Sequence, residues 1–206
     1  MSVKVKLIEK SIRNHSIFSG VSFNVEDGKV LLINGDPKSR DSLLNILSGI
    51  EKASGGSITN SGYDISDMSG HEKLKFFRNT VSYLRGYFLQ SNLSIKENIA
   101  LPSYFSNISK RERDARVLGI AKKFEITDIL KLKPAKINDD LRERVCLART
   151  LLMNPKVILA TEPSEWTTEV LLRYIKAKNA VLIISSSNPN LRKYAADIIT
   201  LKDDEK

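Results

Sequence analysis

The sequence has few cysteines and histidines and no long apolar run. One cysteine, Cys146, and two histidines in 206 residues exclude an internal disulfide framework and a cysteine-based zinc site. Cys146 lies in the run ERVCLARTLL, where we predict a small core residue on a helix. No window approaches membrane-spanning length, and the N-terminal residues lack the apolar stretch of a signal peptide. We therefore expect any connection with a membrane to run through a partner.

The composition is that of an ordinary globular protein, with 41% hydrophobic and 28% charged residues. Lysine and arginine number 33 against 24 aspartates and glutamates, a formal net charge of +9. Such an excess suits nucleic acid, anionic lipid or an acidic protein partner. The basic residues are spread along the whole chain, so nucleic acid is not the expected partner.

The first third of the chain predicts strands. VKVKLIEKSI and GVSFNVEDG alternate, and KVLLIN is the short apolar run of a buried strand. A helix is expected to begin between Ser39 and Asp41, with its inner side formed by Leu43, Leu44, Ile46 and Leu47. The glycines and serines of KASGGSITNSG then indicate a turn, a strand and another turn.

The middle of the chain predicts helices and the last quarter predicts strands that alternate with helices. Charged and apolar residues recur at helical spacing from SIKENIALP to DDLRERVCLARTLLMNP. After that come KVILAT, the helix WTTEVLLRYIKAK, the strand AVLIISS, a short helix after Pro189 and the strand DIITL. The fold class is therefore α/β with a mostly parallel sheet, whose ligands bind at the carboxyl ends of the strands.

In this order, the segments resemble the nucleotide-binding subunit of an ATP-binding-cassette (ABC) transporter. The resemblance runs from about Val5 to Asp203. It is closest to subunits for macrolide export, lipoprotein release and bacteriocin export, through LLNILSGIEKASGGSI, EKLKFFRNTVSYL, SIKENIALP and RERVCLARTLLMNPKVILATEP. It implies an ABC-type P-loop fold in one domain, 1–206. Residues 1–86 would form an antiparallel β-subdomain and the P-loop part of the core, 87–140 a helical subdomain, and 141–206 the remaining core.

The phosphate loop departs from the family pattern G-x-x-G-x-G-K-S/T-T. The matching residues are Gly35, Asp36, Pro37, Lys38, Ser39, Arg40, Asp41, Ser42 and Leu43. Two glycines, which let backbone N–H groups turn toward phosphate oxygens, are replaced by Lys38 and Arg40. The phosphate-binding lysine is replaced by Asp41.

Asp41 turns a cation meant for the β and γ phosphates into an anion. At contact distance, with an effective dielectric constant of about 20, this reversal changes the interaction by several kcal/mol, enough to remove millimolar affinity. We expect Asp41 to cap the following helix and to fill internally the place of the phosphate. Compensation by Lys38 or Arg40 remains the alternative.

The metal and catalytic positions implied by the resemblance are also altered. Glu162 matches the Walker B glutamate that polarises the attacking water, and we read it as vestigial. The preceding aspartate, which orders magnesium, is replaced by Thr161, so with Ser42 only a weakened metal site is expected. The glutamine of the next loop aligns with Gly86, or one place off with Arg85. The switch histidine aligns with Ser187.

The remaining family landmarks are altered as well. The adenine-stacking aromatic aligns with Ile12, although a small shift would bring His15 or Phe18 there. The signature motif L-S-G-G-Q matches Ile137, Asn138, Asp139, Asp140 and Leu141. Asp139 and Asp140 suit a helix N-terminus but would present negative charge to a partner's nucleotide.

These losses predict a pseudo-ATPase, with no cofactor expected unless ATP and magnesium still fit the degenerate site. The expected role is that of scaffold or regulator in a membrane permease complex, at the inner face of the cell membrane, with a possible head-to-tail homo- or heterodimer. A groove formed by residues 85–104 would dock a permease helix, or the same residues would fill the helical subdomain core. The alternatives are an atypical but working ATPase and a soluble interaction or nucleic-acid-binding protein on the same scaffold.

Overall fold

The computed structural model describes residues 2–13, 15–60, 63–65 and 68–202. Within these ranges one sheet is antiparallel, in the strand order β2-β1-β4-β5. Its strands are β1 Ser2–Ile12, β2 His15–Glu26, β4 Gly55–Asn60 and β5 Tyr63–Asp64. Alternate residues of β1 and β2 are buried, as the alternating sequence predicts, so one face of this sheet packs on the core.

A second sheet is parallel and carries the strand order β6-β7-β8-β3-β9. Its strands are β3 Val30–Gly35, β6 Val81–Arg85, β7 Val157–Thr161, β8 Val181–Ser185 and β9 Asp197–Leu201. The central strands are apolar up to their carboxyl ends because both faces are buried, one against α1 and the antiparallel sheet and the other against helices. In the register, Thr161 pairs with both Arg85 and Ser185, and Ile33 pairs with Ser185. The carboxyl ends of β3, β7 and β8 therefore lie side by side.

Helices connect these strands across the described ranges. They are α1 Pro37–Leu47, α2 Gly70–Thr80, α3 Ile95–Ala100, α4 Lys110–Lys123, α5 Asp139–Leu151 and α6 Glu165–Lys178, with short 3-10 turns at Leu101–Phe105, Pro134–Lys136 and Pro189–Tyr194. Serine side chains cap α2, α3, α4 and α6 at their N-termini, as expected for this residue type. No helix in this part of the chain is long and apolar enough to cross a membrane.

Two hydrophobic cores hold the layers together. One joins α1 to the antiparallel sheet and one face of the parallel sheet, and the other joins α3, α4, α5 and α6 to the opposite face. The predicted inner residues of α1, Leu43, Leu44, Ile46 and Leu47, are buried, and so is Cys146. These predictions are confirmed, together with the α/β class and the antiparallel N-terminal sheet.

The predicted start of α1 is wrong. The helix begins at Pro37 rather than between Ser39 and Asp41. Proline is favoured in the first helical position because its fixed φ suits the helix. The N–H that proline lacks would have no acceptor within the helix at this position. The preceding Asp36 supplies the cap, so the helix extends through most of the predicted phosphate loop.

Candidate functional site

The N-terminus of α1 is capped by Asp36. Asp36 Oδ2 accepts hydrogen bonds from the Ser39 backbone N–H at 2.8 Å and from Ser39 Oγ at 2.9 Å. The Arg40 N–H donates to the Asp36 carbonyl oxygen at 3.0 Å. The hydrogen bond from the Ser39 amide is the main cause that lowers the pKa of Asp36. In a phosphate loop such amides point at the ligand, whereas here they point at a carboxylate of the same chain.

Asp41 does not have the role that the sequence predicted for it. It lies in the second turn of α1, partly exposed, and Asp36 is the cap. The prediction that Asp41 caps the helix is therefore wrong, because Asp36 and Pro37 start the helix earlier. Burial raises the pKa of Tyr83 on β6, and the Asp41 charge adds to that rise, against the hydrogen bond with Thr161.

Arg40 reaches from α1 to the end of β7. Its Nη1 lies 2.9 Å from Glu162 Oε1 and 3.3 Å from Ser185 Oγ. Only 5% of Arg40 is exposed, so this cation is withdrawn from solvent and directed at the carboxylate. The side chain that replaces a loop glycine thus occupies the space between the helix and the Walker B strand.

Glu162 is held by two further contacts. Ser186 Oγ donates to its Oε2 at 2.5 Å, and the Ser187 backbone N–H donates to Oε1 at 3.1 Å. Glu162 has φ +44°, a conformation uncommon for residues other than glycine. Burial raises the pKa of Glu162, but the hydrogen bonds from Ser186, Arg40 and Ser187 outweigh it and the pKa is lowered. The carboxylate is therefore charged at neutral pH and held by these three groups, while 46% of the Glu162 side chain stays exposed.

The two residues at the metal position bond to other side chains. Ser42 Oγ donates to Glu51 Oε2 at 3.0 Å, and Asn45 donates to the other oxygen of Glu51 at 2.7 Å. Thr161 Oγ1 lies 3.1 Å from the Tyr83 hydroxyl. Over residues 2–13, 15–60, 63–65 and 68–202, no group of three or more His, Cys, Asp or Glu side chains is placed to hold a metal.

The other predicted positions lie around the same edge or on α5. Gly86 follows β6 with φ +63°, Ser187 is exposed beside Glu162, and Ile12 ends β1 half-exposed. Phe18 is buried, so of the two alternative stacking residues only His15 is accessible.

At the signature position the capping residue differs from the expected aspartates. Asn138 is the cap, accepting from the Leu141 N–H at 3.0 Å, and Asp139 and Asp140 stand exposed in the first turn of α5. A residue with an extended backbone before the helix fits the capping geometry best, and Asn138 has it.

The comparison with protein-family models settles the membership. Residues 18–165, more than half of the chain, match the model described as "ABC transporter". The chain belongs to the ABC transporter family. The resemblance found in the sequence is thereby confirmed.

Named relatives of this ABC chain come from several export systems. It is 28% identical over 210 residues to the macrolide export ATP-binding/permease protein MacB of Campylobacter jejuni, covering 98% of this chain and 33% of MacB. It is 28% identical to the lipoprotein-releasing system ATP-binding protein LolD of Buchnera aphidicola, covering 87% of this chain and 83% of LolD. The chain thus spans about a third of the length of the MacB relative.

The ABC fold is matched by solved structures. A dimeric ABC transporter cassette, MJ0796, superimposes with a TM-score of 0.84 at 24% identity, covering 98% of this chain and 94% of the other. The structure of cbiO1 from Clostridium perfringens gives a TM-score of 0.82 at 21% identity, covering 97% of this chain and 84% of the other. At these identities the match establishes the ABC fold.

The ABC family implies ATP and magnesium, and the side chains of this chain do not fit them as arranged. The Ser39 amide is bound by the Asp36 carboxylate, and the Walker B glutamate is bound by Arg40. The hydroxyls of Ser42 and Thr161 have partners inside the protein. A bound phosphate would have to displace these contacts.

Sequence reasoning missed Asp36, Glu51, Ser185 and Ser186. Asp36 carried a usable signal, since an aspartate directly before a proline that opens an apolar-periodic segment marks a helix start. Ser185 and Ser186 had no local signal, because they reach Glu162 only through the pairing of β7 with β8. Glu51 likewise contacts Ser42 and Asn45 only because the chain turns back after α1.

The predicted docking groove contains both buried and exposed residues. Leu89, Ile95 and Ile99 are buried in the helical core, whereas Phe88 is 65% and Tyr104 is 50% exposed. The prediction that this segment fills the core is confirmed for the buried residues, and docking by the exposed ones stays a prediction.

Cations border the exposed aromatic side chains. The Arg113 guanidinium lies 4.2 Å from the Tyr104 ring centre, and that of Arg78 lies 4.9 Å from the Phe105 ring centre. Arg78 also lines a cavity of about 1050 Å³ between the end of α1, β4 and α2, together with the exposed Ile50 and Leu74. An exposed apolar surface with a basic border is typical of a protein interaction site.

Proposed function

We propose that this ABC chain neither binds ATP at physiological strength nor hydrolyses it, and that it serves as a scaffold or regulator of a membrane permease complex. The observation that carries the proposal is the contact of Arg40 with Glu162. A glutamate that must activate water needs its carboxylate available to that water. Here the carboxylate accepts from an arginine, a serine and a backbone amide.

The phosphate side of the site supports the same proposal. Because α1 begins at Pro37, residues 37–42 are helical rather than an open loop around phosphate oxygens, and the Asp36 carboxylate binds the Ser39 amide. Asp41 adds a negative charge whose field reaches Tyr83 on β6. A nucleotide would lose the amide contacts and meet two carboxylates.

An atypical but working ATPase is the second candidate. Lys38 favours it, since this cation is exposed in the first turn of α1. The candidate requires Arg40 to leave Glu162 when nucleotide binds, which would expose the buried guanidinium and break its contacts with Glu162 and Ser185. We rank it below the scaffold for this reason.

The partner that we propose is a membrane permease, docked through Ile50, Leu74, Phe88, Tyr104 and Phe105. Exposed apolar and aromatic residues of this kind are the usual anchors of protein interfaces. The names of the relatives include ATP-binding subunits and an ATP-binding/permease protein, in line with such a partner. The chain would lie at the inner face of the membrane, with pairing to a second ABC subunit as in the dimeric cassette MJ0796.

Affinity purification from detergent-solubilised membranes tests the docking. The tagged chain is expected to recover a polytopic permease subunit, and Leu74→Asp or Phe105→Asp is expected to reduce that recovery at least about tenfold, as for loss of an interface anchor. Ile198→Asp, which changes an exposed apolar residue of β9, is the matched control. The proposal would be contradicted if the chain recovered no permease. It would also be contradicted if the Ile198→Asp control lost as much permease as Leu74→Asp and Phe105→Asp.

A further inference from the structure

Glu143 on α5 binds side chains from two other segments through one carboxylate oxygen. Tyr87, which follows β6, donates its hydroxyl to Glu143 Oε1 at 2.8 Å. Ser164 Oγ and Thr167 Oγ1, at the start of α6, donate to the same oxygen. The Ser164 backbone N–H in turn donates to the Tyr87 hydroxyl at 3.1 Å. A single side chain thus joins three parts of the fold.

Other residues of α5 hold the same segment after β6. Arg149 Nη2 donates to the Phe88 carbonyl oxygen at 2.8 Å, and Cys146 Sγ lies 3.7 Å from that oxygen. The Arg144 guanidinium carbon lies 5.6 Å from the Trp166 ring centre. The backbone at 87–88 is therefore bound to α5 at successive turns, and α5 is bound to the start of α6.

These contacts are well placed to resist motion. Thr167 and Cys146 are fully buried, and Tyr87 packs against the hydrophobic core around α5. Burial of the Tyr87 hydroxyl raises its pKa, so it remains a donor at neutral pH. Hydrogen bonds to a carboxylate are stronger than neutral ones, and members of one network are lost together.

We propose that Glu143 is a positioning residue that clamps the segment 87–88 and α5 to α6, so that the helical subdomain keeps one orientation on the parallel sheet without nucleotide. The proposal rests on the nucleotide-free role proposed above, and it explains how a docking surface that includes Phe88 and Tyr104 would stay formed with no ligand. None of the clamp's contacts involves Asp36, Arg40 or Glu162.

A distance measurement between the two parts of the fold tests the clamp. Spin labels are placed at Ala115→Cys on α4 and Ala177→Cys on α6, both exposed positions, while the native Cys146 is buried. Without nucleotide, the labelled but otherwise unchanged protein should show one narrow distribution of the distance between the two labels. In Glu143→Ala that distribution should become at least twice as wide or gain a second population.

Three further variants make the result specific. Glu143→Gln keeps an oxygen acceptor and should remain close to the narrow distribution. Asp139→Ala removes an exposed carboxylate of the same helix whose partner, Arg142, takes no part in the clamp, and should have no effect. Tyr87→Phe removes the hydroxyl that accepts the Ser164 backbone N–H. The hydrogen exchange of that amide should become roughly fivefold faster, which corresponds to a loss of about 1 kcal/mol. If Glu143→Ala does not fold, this variant tests the clamp in its place.

Three results would overturn the clamp. They are a broad label-to-label distance distribution in the unchanged protein, the same distribution width in Glu143→Ala, and an unaltered hydrogen-exchange rate of the Ser164 amide in Tyr87→Phe. Tight ATP binding would overturn the proposed function but leave these distances as they are. A broad distance distribution without ATP binding would overturn the clamp but leave the proposed function standing. The two failures are therefore distinguishable.

Discussion

Arg40 Nη1 lies 2.9 Å from Glu162 Oε1, although 122 residues separate the two in the chain. One residue stands where a phosphate loop has glycine, and the other where an ATPase has its catalytic glutamate. Their contact joins the first turn of α1 to the residue that follows β7. The site is therefore internally bonded rather than merely missing its usual residues.

Arg40→Ala should lower the free energy of unfolding by about 1–3 kcal/mol, because it strips a half-buried carboxylate of its cation. The lower part of that range is expected, since Glu162 keeps Ser186 and Ser187 and the buried Arg40 Nε has no hydrogen-bond partner in the described structure. Urea denaturation measures the loss. Lys96→Ala, which breaks the exposed pair with Asp114, should change it by less than about 0.5 kcal/mol.

The pH dependence of stability should report Glu162. Because its folded pKa lies below the ordinary value of 4.5, its stabilisation is complete above that value and is lost as the pH falls through the folded pKa. The unfolding free energy of the unchanged protein should thus exceed that of Glu162→Gln at pH 7 and approach it below pH 4.5. If the difference in unfolding free energy between the two proteins grew as the pH fell, the folded pKa of Glu162 would be raised instead.

Two aspartates of the former loop should behave differently. Asp36→Ala removes the cap of α1 and should lower the unfolding free energy by about 1–2 kcal/mol. Asp41→Ala changes a partly exposed residue that does not cap the helix, so we expect a change within about 0.5 kcal/mol. Equal losses would mean that the helix begins where the sequence first predicted.

Gly35 should tolerate no side chain. Its φ is +105°, and a Cβ atom there would lie 1.9 Å from the Leu201 carbonyl oxygen, so Gly35→Ala should lower the unfolding free energy by about 2–4 kcal/mol. Gly119→Ala is the control, because α4 leaves open space around Gly119. Alanine should stabilise that helix by about 0.5–1 kcal/mol. Thermal or urea unfolding of both variants checks the contrast.

The strands and helices could be predicted from the sequence because the periodicity of the apolar residues matches the residues that are buried in the structure. The apolar runs at Val30, Val157 and Val181 begin the buried parallel strands, and the inner face of α1 follows its 3.6-residue period. The start of α1 was misplaced because the apolar period of the helix begins only at Leu43, whereas Asp36 and Pro37 start the helix earlier.

The candidate site was only partly readable. The altered positions at Arg40, Asp41 and Thr161 were visible as substitutions, but their partners were not. Arg40 meets Glu162, and Thr161 meets Tyr83, through pairings of strands far apart in the chain. Such contacts carry no local periodicity, so only the folded structure shows which side chains they join.

ATP-induced thermal stabilisation of the purified chain tests the central claim most directly, since only a ligand that binds the native state raises the melting temperature in this way. We predict no shift with ATP, with or without magnesium, up to about millimolar nucleotide, the range of weak binding. A shift that saturates at micromolar ATP would contradict the account and show that Arg40 and Asp36 release the site.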